Sequence, residues 1–132
     1  MDRDHVIETL QKLFATEAAT VACAYLFGSV ARGEHKHGSD VDVAVLFHEA
    51  PPNTLLGPVA ELQDKLERNL AINVDLVELN HAGPDLVHRV LRDGVLVCEH
   101  DANKRVRFEV KLRNEYFDLL PYLEEYRKGR VS

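Results

Sequence analysis

The feature that most constrains this chain is a short apolar stretch, residues 40–47, that opens with two carboxylates. Its composition predicts a β-strand, and side chains two apart on a strand project from the same face. Asp40 and Asp42 are therefore expected side by side, while Val41 points the other way. Adjacent carboxylates repel each other, and a divalent cation relieves that repulsion. A site made of carboxylate oxygens suits Mg2+ or Mn2+.

A glycine-serine pair precedes these carboxylates and adds a second kind of contact. Gly28-Ser29 follows Val21–Phe27, an apolar run that predicts a central strand covered on both faces. Glycine lets the backbone approach a phosphate closely, and the serine hydroxyl lies beside it. Residues 30–33 predict a helical turn whose free N–H groups would face an anion. The pattern predicts that a phosphate and a metal ion meet here.

A third carboxylate lies in a later apolar stretch, residues 72–79, which also predicts a strand. Burying the charge of Asp75 alone would be costly, and a metal ion shared with Asp40 and Asp42 would compensate it. The alternative is an edge-strand carboxylate that faces water. The upstream motif favours the metal role.

These residues resemble the signature of the nucleotidyltransferase superfamily that includes DNA polymerase beta. Gly28-Ser29, ten intervening residues and then Asp40 and Asp42 carry the resemblance, and Asp75 follows on a later strand. More narrowly, the chain resembles the minimal nucleotidyltransferase (MNT) antitoxins, the partners of HEPN-domain toxins in bacteria and archaea. Four flanking residues also fit that pattern: Phe27, Arg32, Gly33 and Ser39.

The resemblance implies an enzyme that transfers AMP from ATP to a tyrosine of a HEPN ribonuclease toxin and so silences it. It implies that two Mg2+ ions, or Mn2+, are held by Asp40, Asp42 and Asp75, which are also the catalytic residues. It implies nucleotide contacts from four residues: Gly28, Ser29, Arg32 and Ser39. Two alternatives stay open. One is an antitoxin that neutralises its partner by binding alone, and the other is a small-molecule, aminoglycoside-type nucleotidyltransferase whose acceptor pocket forms in a homodimer.

The order of predicted elements favours an α+β (α/β) fold, in which helices pack on a small sheet. Apolar spacing predicts helices at 4–15, 55–70, 84–92 and 103–120, and strands at 21–27, 40–47, 72–79 and 95–99. The resemblance implies a mixed sheet in one nucleotidyltransferase domain, residues 1–132. The last helix, kinked at Pro121 and reaching about residue 128, is a candidate docking element for the toxin. Its candidate contact residues are Tyr116, Tyr122, Glu124, Glu125 and Tyr126.

Composition limits the partners and the location. With 22 acidic and 16 basic residues the net charge is -6, which argues against broad capture of nucleic acid. No apolar run approaches the roughly 18 residues of a membrane span, and the N-terminus lacks a signal-peptide pattern, so a cytoplasmic protein is expected. Cys23 and Cys98 lie in strand-like runs, which favours buried free thiols over a disulfide.

Other functions of the same residues are less well supported. His35 and His37 suggest a zinc site, but no nearby histidine or cysteine completes a four-ligand set. Phosphatases of the haloacid dehalogenase type and many glycosyltransferases place Asp-x-Asp after the apolar run of a strand, whereas here the acids come first. A calcium loop is excluded because residues 43–45 are hydrophobic where ligands should continue.

Overall fold

The structure, a computed structural model, describes residues 2–34, 36, 38–52 and 57–129. Helices and strands alternate along these residues. In chain order they are α1 (Arg3–Phe14), β1 (Val21–Phe27), α2 (Gly28–Ala31), β2 (Val41–Phe47), α3 (Pro58–Leu70), β3 (Val74–Glu78), α4 (Pro84–Asp93), β4 (Val95–Glu99) and α5 (Ala102–Gly129).

The four strands form one mixed sheet in the order β3-β2-β1-β4. Strand β1 pairs antiparallel with β2 and β4, whereas β2 and β3 are parallel. Strands β1 and β2 are the inner pair, and all their residues are buried except Phe27 and Asp42, as expected for apolar runs covered on both faces. The predicted α+β fold with a small mixed sheet is confirmed.

Alternation along β2 sends its side chains into two different cores. Val43 and Val45 pack with α1 and α3 on one face of the sheet. Ala44 and Leu46 pack with α4 and α5 on the other. By the same alternation Asp42 projects from the face that α4 and α5 cover, at the end of the sheet where β2 begins.

Local signals explain where several helices begin. The carboxylate of Asp2 accepts a hydrogen bond from the backbone N–H of His5 at 2.7 Å and so caps α1. Proline is the first residue of both α3 and α4, where its missing N–H costs nothing. The short helix α2 begins at Gly28, two residues earlier than predicted, because the Gly28 carbonyl accepts from the N–H of Arg32 at 3.2 Å. The predicted start of α3 at Leu55 lies outside the described residues.

Helix α5 has 28 residues and runs through Pro121. It is anchored to the sheet by Tyr25, whose buried hydroxyl donates to Glu109 at 2.9 Å, and by Arg105, which pairs with Glu99 and Glu109. Its later part is open to solvent, and the exposed fraction of three aromatic side chains is 66% for Phe117, 70% for Tyr122 and 72% for Tyr126. Across the described part of the chain, no helix combines the length and apolarity that a membrane crossing requires.

Both cysteines are free thiols, as predicted. Cys23 is buried in β1, and burial raises the pKa of its thiol to about 12. Cys98 in β4 is half-buried, and burial raises the pKa of its thiol to about 11. A thiol that resists ionisation is a poor nucleophile, so both cysteines are packing residues.

Candidate active site

Two carboxylates from neighbouring strands face each other at the beginning of β2 and β3. Asp42 lies directly opposite Asp75 in the parallel register. Their carboxylates are close enough for the charge of Asp75 to disfavour ionisation of Asp42. Burial raises the pKa of Asp42, and the negative charges of Asp75 and Asp40 raise it further. A divalent cation here would replace the proton and remove the repulsion.

A glycine packs against this carboxylate pair from the end of β1. Gly28 has φ +75°, in the left-handed region that residues with a side chain avoid. A methyl group on its Cα would come within 2.9 Å of Asp42 Cγ and closer still to Oδ2. Position 28 therefore requires glycine on two grounds, conformation and space. Ser29 follows as the second residue of α2 and is half-buried. The glycine-serine turn therefore lies directly beside the Asp42 carboxylate.

The third predicted ligand, Asp40, lies just before β2 and is exposed. Its charge acts on Asp42, so the two carboxylates are near neighbours. Over residues 2–34, 36, 38–52 and 57–129, however, no group of three or more acidic, histidine or cysteine side chains is arranged to hold a metal ion. By the chemistry of their donors, Asp42 and Asp75 fit a divalent cation. The three-carboxylate set stays a prediction, and it requires the Asp40 side chain to turn toward the pair.

Arg32 and Ser39, the other two residues predicted to contact the nucleotide, both form hydrogen bonds with neighbouring protein groups. Arg32 donates through Nε to Glu34 at 2.9 Å, and its Nη1 lies 3.7 Å from Asp93 Oδ2. Ser39 Oγ accepts a hydrogen bond from the backbone N–H of Lys36 at 2.9 Å and closes a turn in the loop before β2. Their nucleotide contacts stay predictions. His35 and His37, in the same loop, lie outside the described residues.

The carboxylates and the glycine line a cleft of about 400 Å³ between the end of the sheet and α4. Its walls combine an apolar floor with charged groups of both signs. The lining residues are Phe27, Gly28, Arg32, Asp42, Asp75, Val77, Leu86, Arg89, Arg92 and Asp93. Sequence reasoning missed the contribution of α4, although the spacing of Leu86, Arg89 and Asp93 by three and four residues places them on one helix face.

Comparison with known proteins gives relatives along most of the chain. The Protein adenylyltransferase MntA of Thermococcus cleftensis is 42% identical over 72 residues, which are 54% of this chain and 70% of that protein. The Protein adenylyltransferase MntA of Shewanella oneidensis is 35% identical over 83 residues, which are 63% of this chain and 58% of that protein. The chain thus spans less than two thirds of the length of the Shewanella relative.

Two solved structures share the whole fold. One chain from a crystal structure of a toxin-antitoxin with AMP-PNP superposes with a TM-score of 0.79 at 27% identity, covering 96% of this chain and 98% of that one. A chain from the structure of a tri-AMPylated Shewanella oneidensis HEPN toxin in complex with MNT antitoxin gives 0.74 at 25% identity, covering 98% and 99%.

A family model also matches most of the chain. The polymerase beta nucleotidyltransferase family model matches residues 8–103, a range that contains all four strands and every residue that lines the cleft. The chain therefore belongs to the polymerase beta nucleotidyltransferase family.

Proposed function

We propose that this protein is an antitoxin that transfers AMP from ATP to a tyrosine hydroxyl of a cognate HEPN toxin, with Mg2+ bound in the cleft. The observation that carries the proposal is the facing pair Asp42 and Asp75 packed against the Gly28 turn. Its relatives include proteins named protein adenylyltransferase, and a chain of the same fold occurs beside an AMPylated HEPN toxin. Nucleotidyltransferases of this family generally use ATP and a divalent metal.

The transfer itself is a substitution at phosphorus. The tyrosine oxygen forms a bond to the α-phosphorus of ATP, the bond from that phosphorus to the bridging β-oxygen breaks, and pyrophosphate leaves. Divalent cations, when bound, supply positive charge where the entering and leaving oxygens become negative. Asp42 and Asp75 would hold two Mg2+ ions, or Mn2+, with Asp40 as a further ligand. Asp75 would also receive the hydroxyl proton and pass it to water, a role secondary to its role as a metal ligand.

Positioning of the triphosphate falls to the turn after β1. Because Gly28 has no side chain, the nucleotide can approach the backbone at the point where Asp42 projects. Ser29 would donate its hydroxyl to a phosphate oxygen. Holding the reactants in line accounts for much of the rate gain in such reactions, since the protein forms no bond to the substrate.

The acceptor protein is proposed to dock along the exposed part of α5. Tyr116 lies at the start of that part but stacks on His88 of α4, with ring centroids 3.7 Å apart, so it is a packing residue. Tyr122 beyond it is 70% exposed, and Glu124 and Glu125 are also exposed. An exposed aromatic side chain next to carboxylates suits a partner surface that offers apolar and basic groups. The Tyr122→Ala variant should bind the toxin more weakly while keeping its affinity for ATP.

The test uses as acceptor the protein encoded beside this one, which the proposal predicts to be a HEPN toxin. Incubated with Mg2+ and ATP labelled at the α-phosphate, the wild-type protein should label that acceptor, and the Asp42→Ala variant should not. Asp64→Asn is the control, because Asp64 forms an exposed pair with Arg68 on the surface of α3 at 3.2 Å and should be dispensable. Equal labelling by Asp42→Ala would refute the proposed chemistry.

The same proteins distinguish enzymatic neutralisation from binding alone. The triple alanine variant at positions 40, 42 and 75 should fail to protect cells from the toxin. If it protects at one-to-one stoichiometry, the antitoxin acts by occupying its partner, and the transfer reaction is not its means of neutralisation.

A further inference from the structure

Acidic and basic side chains line the cleft in equal number, and one of the arginines has no acidic partner among the described residues. The lining includes three aspartates, Asp42, Asp75 and Asp93, and three arginines, Arg32, Arg89 and Arg92. Arg92 forms a two-bond fork to Asp93 at 3.1 and 3.0 Å. Arg32 lies 3.7 Å from the same carboxylate and donates to a second one, that of Glu34. The carboxylates of Asp93 and Glu34 therefore already hold two of the three guanidinium groups.

The remaining arginine of the cleft is Arg89. In the part of the chain that the structure describes, the Arg89 guanidinium forms no hydrogen bond or ion pair. The acid one turn further along α4, Asp93, is occupied by Arg92 and Arg32. The acid one turn earlier, Asp85, is exposed and forms no ion pair with it. An unpaired surface arginine is ordinary by itself, but this one borders the space that holds the carboxylate pair.

The orientation of Arg89 follows from the packing of α4. Val87 and Val90 are fully buried on the sheet, which fixes the rotation of the helix. Arg89 then shares a face with Leu86 and Asp93, and all three line the cleft. Arg89, on the wall formed by α4, therefore borders the same cleft as Asp42 and Asp75. A triphosphate needs positive charge along its length, and the planar guanidinium fits two phosphate oxygens at once.

We infer that Arg89 is a substrate-binding residue that contacts the β- and γ-phosphates of the nucleotide, the part that leaves as pyrophosphate. The inference rests on the proposed function, because the α-phosphate must lie at the carboxylate pair for AMP to be transferred. The rest of the triphosphate then extends along the cleft toward the wall formed by α4. Arg32, for which the family pattern implies a nucleotide contact, follows α2 and pairs with Asp93 of α4, and its own nucleotide contact stays a prediction.

The test measures nucleotide binding without turnover. Calorimetry in the presence of Mg2+ gives the affinity of each variant for AMP-PNP and for AMP. A charge-assisted hydrogen bond to a phosphate is worth enough that Arg89→Ala should weaken AMP-PNP binding by about ten- to one-hundred-fold. Its AMP affinity should equal that of the wild type, because AMP lacks the β- and γ-phosphates. Arg89→Lys, which keeps the charge but loses the fork, should fall between the two.

The matched control is Arg107→Ala. Arg107 is an exposed arginine on α5, away from the cleft, and it has no ion pair within the described residues. Its loss should leave both affinities unchanged, and unfolding in urea should show that neither alanine variant is destabilised. AMP-PNP binding by Arg89→Ala at wild-type strength would overturn the inference, and so would an equal loss of AMP and AMP-PNP affinity. A wild-type protein that binds neither nucleotide would instead refute the proposed function, and the role of Arg89 with it.

Discussion

Replacing Gly28 by alanine tests two requirements of this position, a left-handed backbone conformation and space beside Asp42. Residue 28 has φ +75°, and a side chain in that conformation costs roughly 1–2 kcal/mol of stability. The added methyl carbon would also lie 2.9 Å from Asp42 Cγ, well inside the contact distance of about 3.5–4.0 Å between carbon atoms. The Asp42 carboxylate must therefore move by roughly 0.5–1 Å. A displacement of that size at a reacting group lowers the rate by about 100-fold.

Gly33→Ala is the control that isolates the displacement. Gly33 has φ +72°, nearly the same conformation, but among the described residues, its chain neighbours aside, no atom lies within 4 Å of the position its methyl group would take. Both variants should lose a similar free energy of unfolding in urea, while only Gly28→Ala should lose AMP transfer to the toxin. If Gly28→Ala transfers AMP at the wild-type rate, or Gly33→Ala loses as much, then crowding of Asp42 by residue 28 does not govern the site.

Three further outcomes follow from the packing and the charges. Because the pKa of Asp42 is raised in the folded protein, stability should fall as pH rises from the ordinary carboxyl pKa through the raised one. Asp42→Asn should remove this decline. In thermal unfolding without divalent metal, the variant should therefore be more stable than the wild type at neutral pH. It should nevertheless be inactive in AMP transfer. Tyr25→Phe removes the hydroxyl that donates to Glu109 and should cost about 1 kcal/mol in urea unfolding, with AMP transfer unchanged. Leu66→Ala removes most of a fully buried side chain of α3 and leaves a cavity, which should lower the free energy of unfolding by about 2–5 kcal/mol in the same assay.

The strands and the central motif were predictable because their signals are local. An apolar run ending at a glycine defines β1, and a run opening with Asp40 and Asp42 defines β2. The motif predicted that the turn and the carboxylates lie together, whereas the crowding of Gly28 against Asp42 is a consequence of pairing β1 with β2. The predicted order of helices and strands agrees with the structure to within a few residues at most boundaries.

What the sequence did not reveal depends on contacts between distant segments. Parallel pairing of β2 with β3 brings Asp75 beside Asp42, but β3 is an edge strand, so Asp75 is exposed as well as adjacent. The ion pair of Arg32 with Asp93 joins two helices that are far apart in the sequence. In the sequence, Arg89 looks like an ordinary solvent-exposed residue on an amphipathic helix. The packing of α4 against the sheet is what shows that it borders the cleft.

The central claim is that this cleft transfers a nucleotidyl group rather than a phosphoryl group. The most direct measurement compares two preparations of ATP, one labelled at the α-phosphate and one at the γ-phosphate, each incubated with the protein, Mg2+ and the HEPN toxin. Label from the α-phosphate should appear on the toxin, and label from the γ-phosphate should appear in released pyrophosphate. Label from the γ-phosphate on the toxin would show phosphoryl transfer and contradict this account.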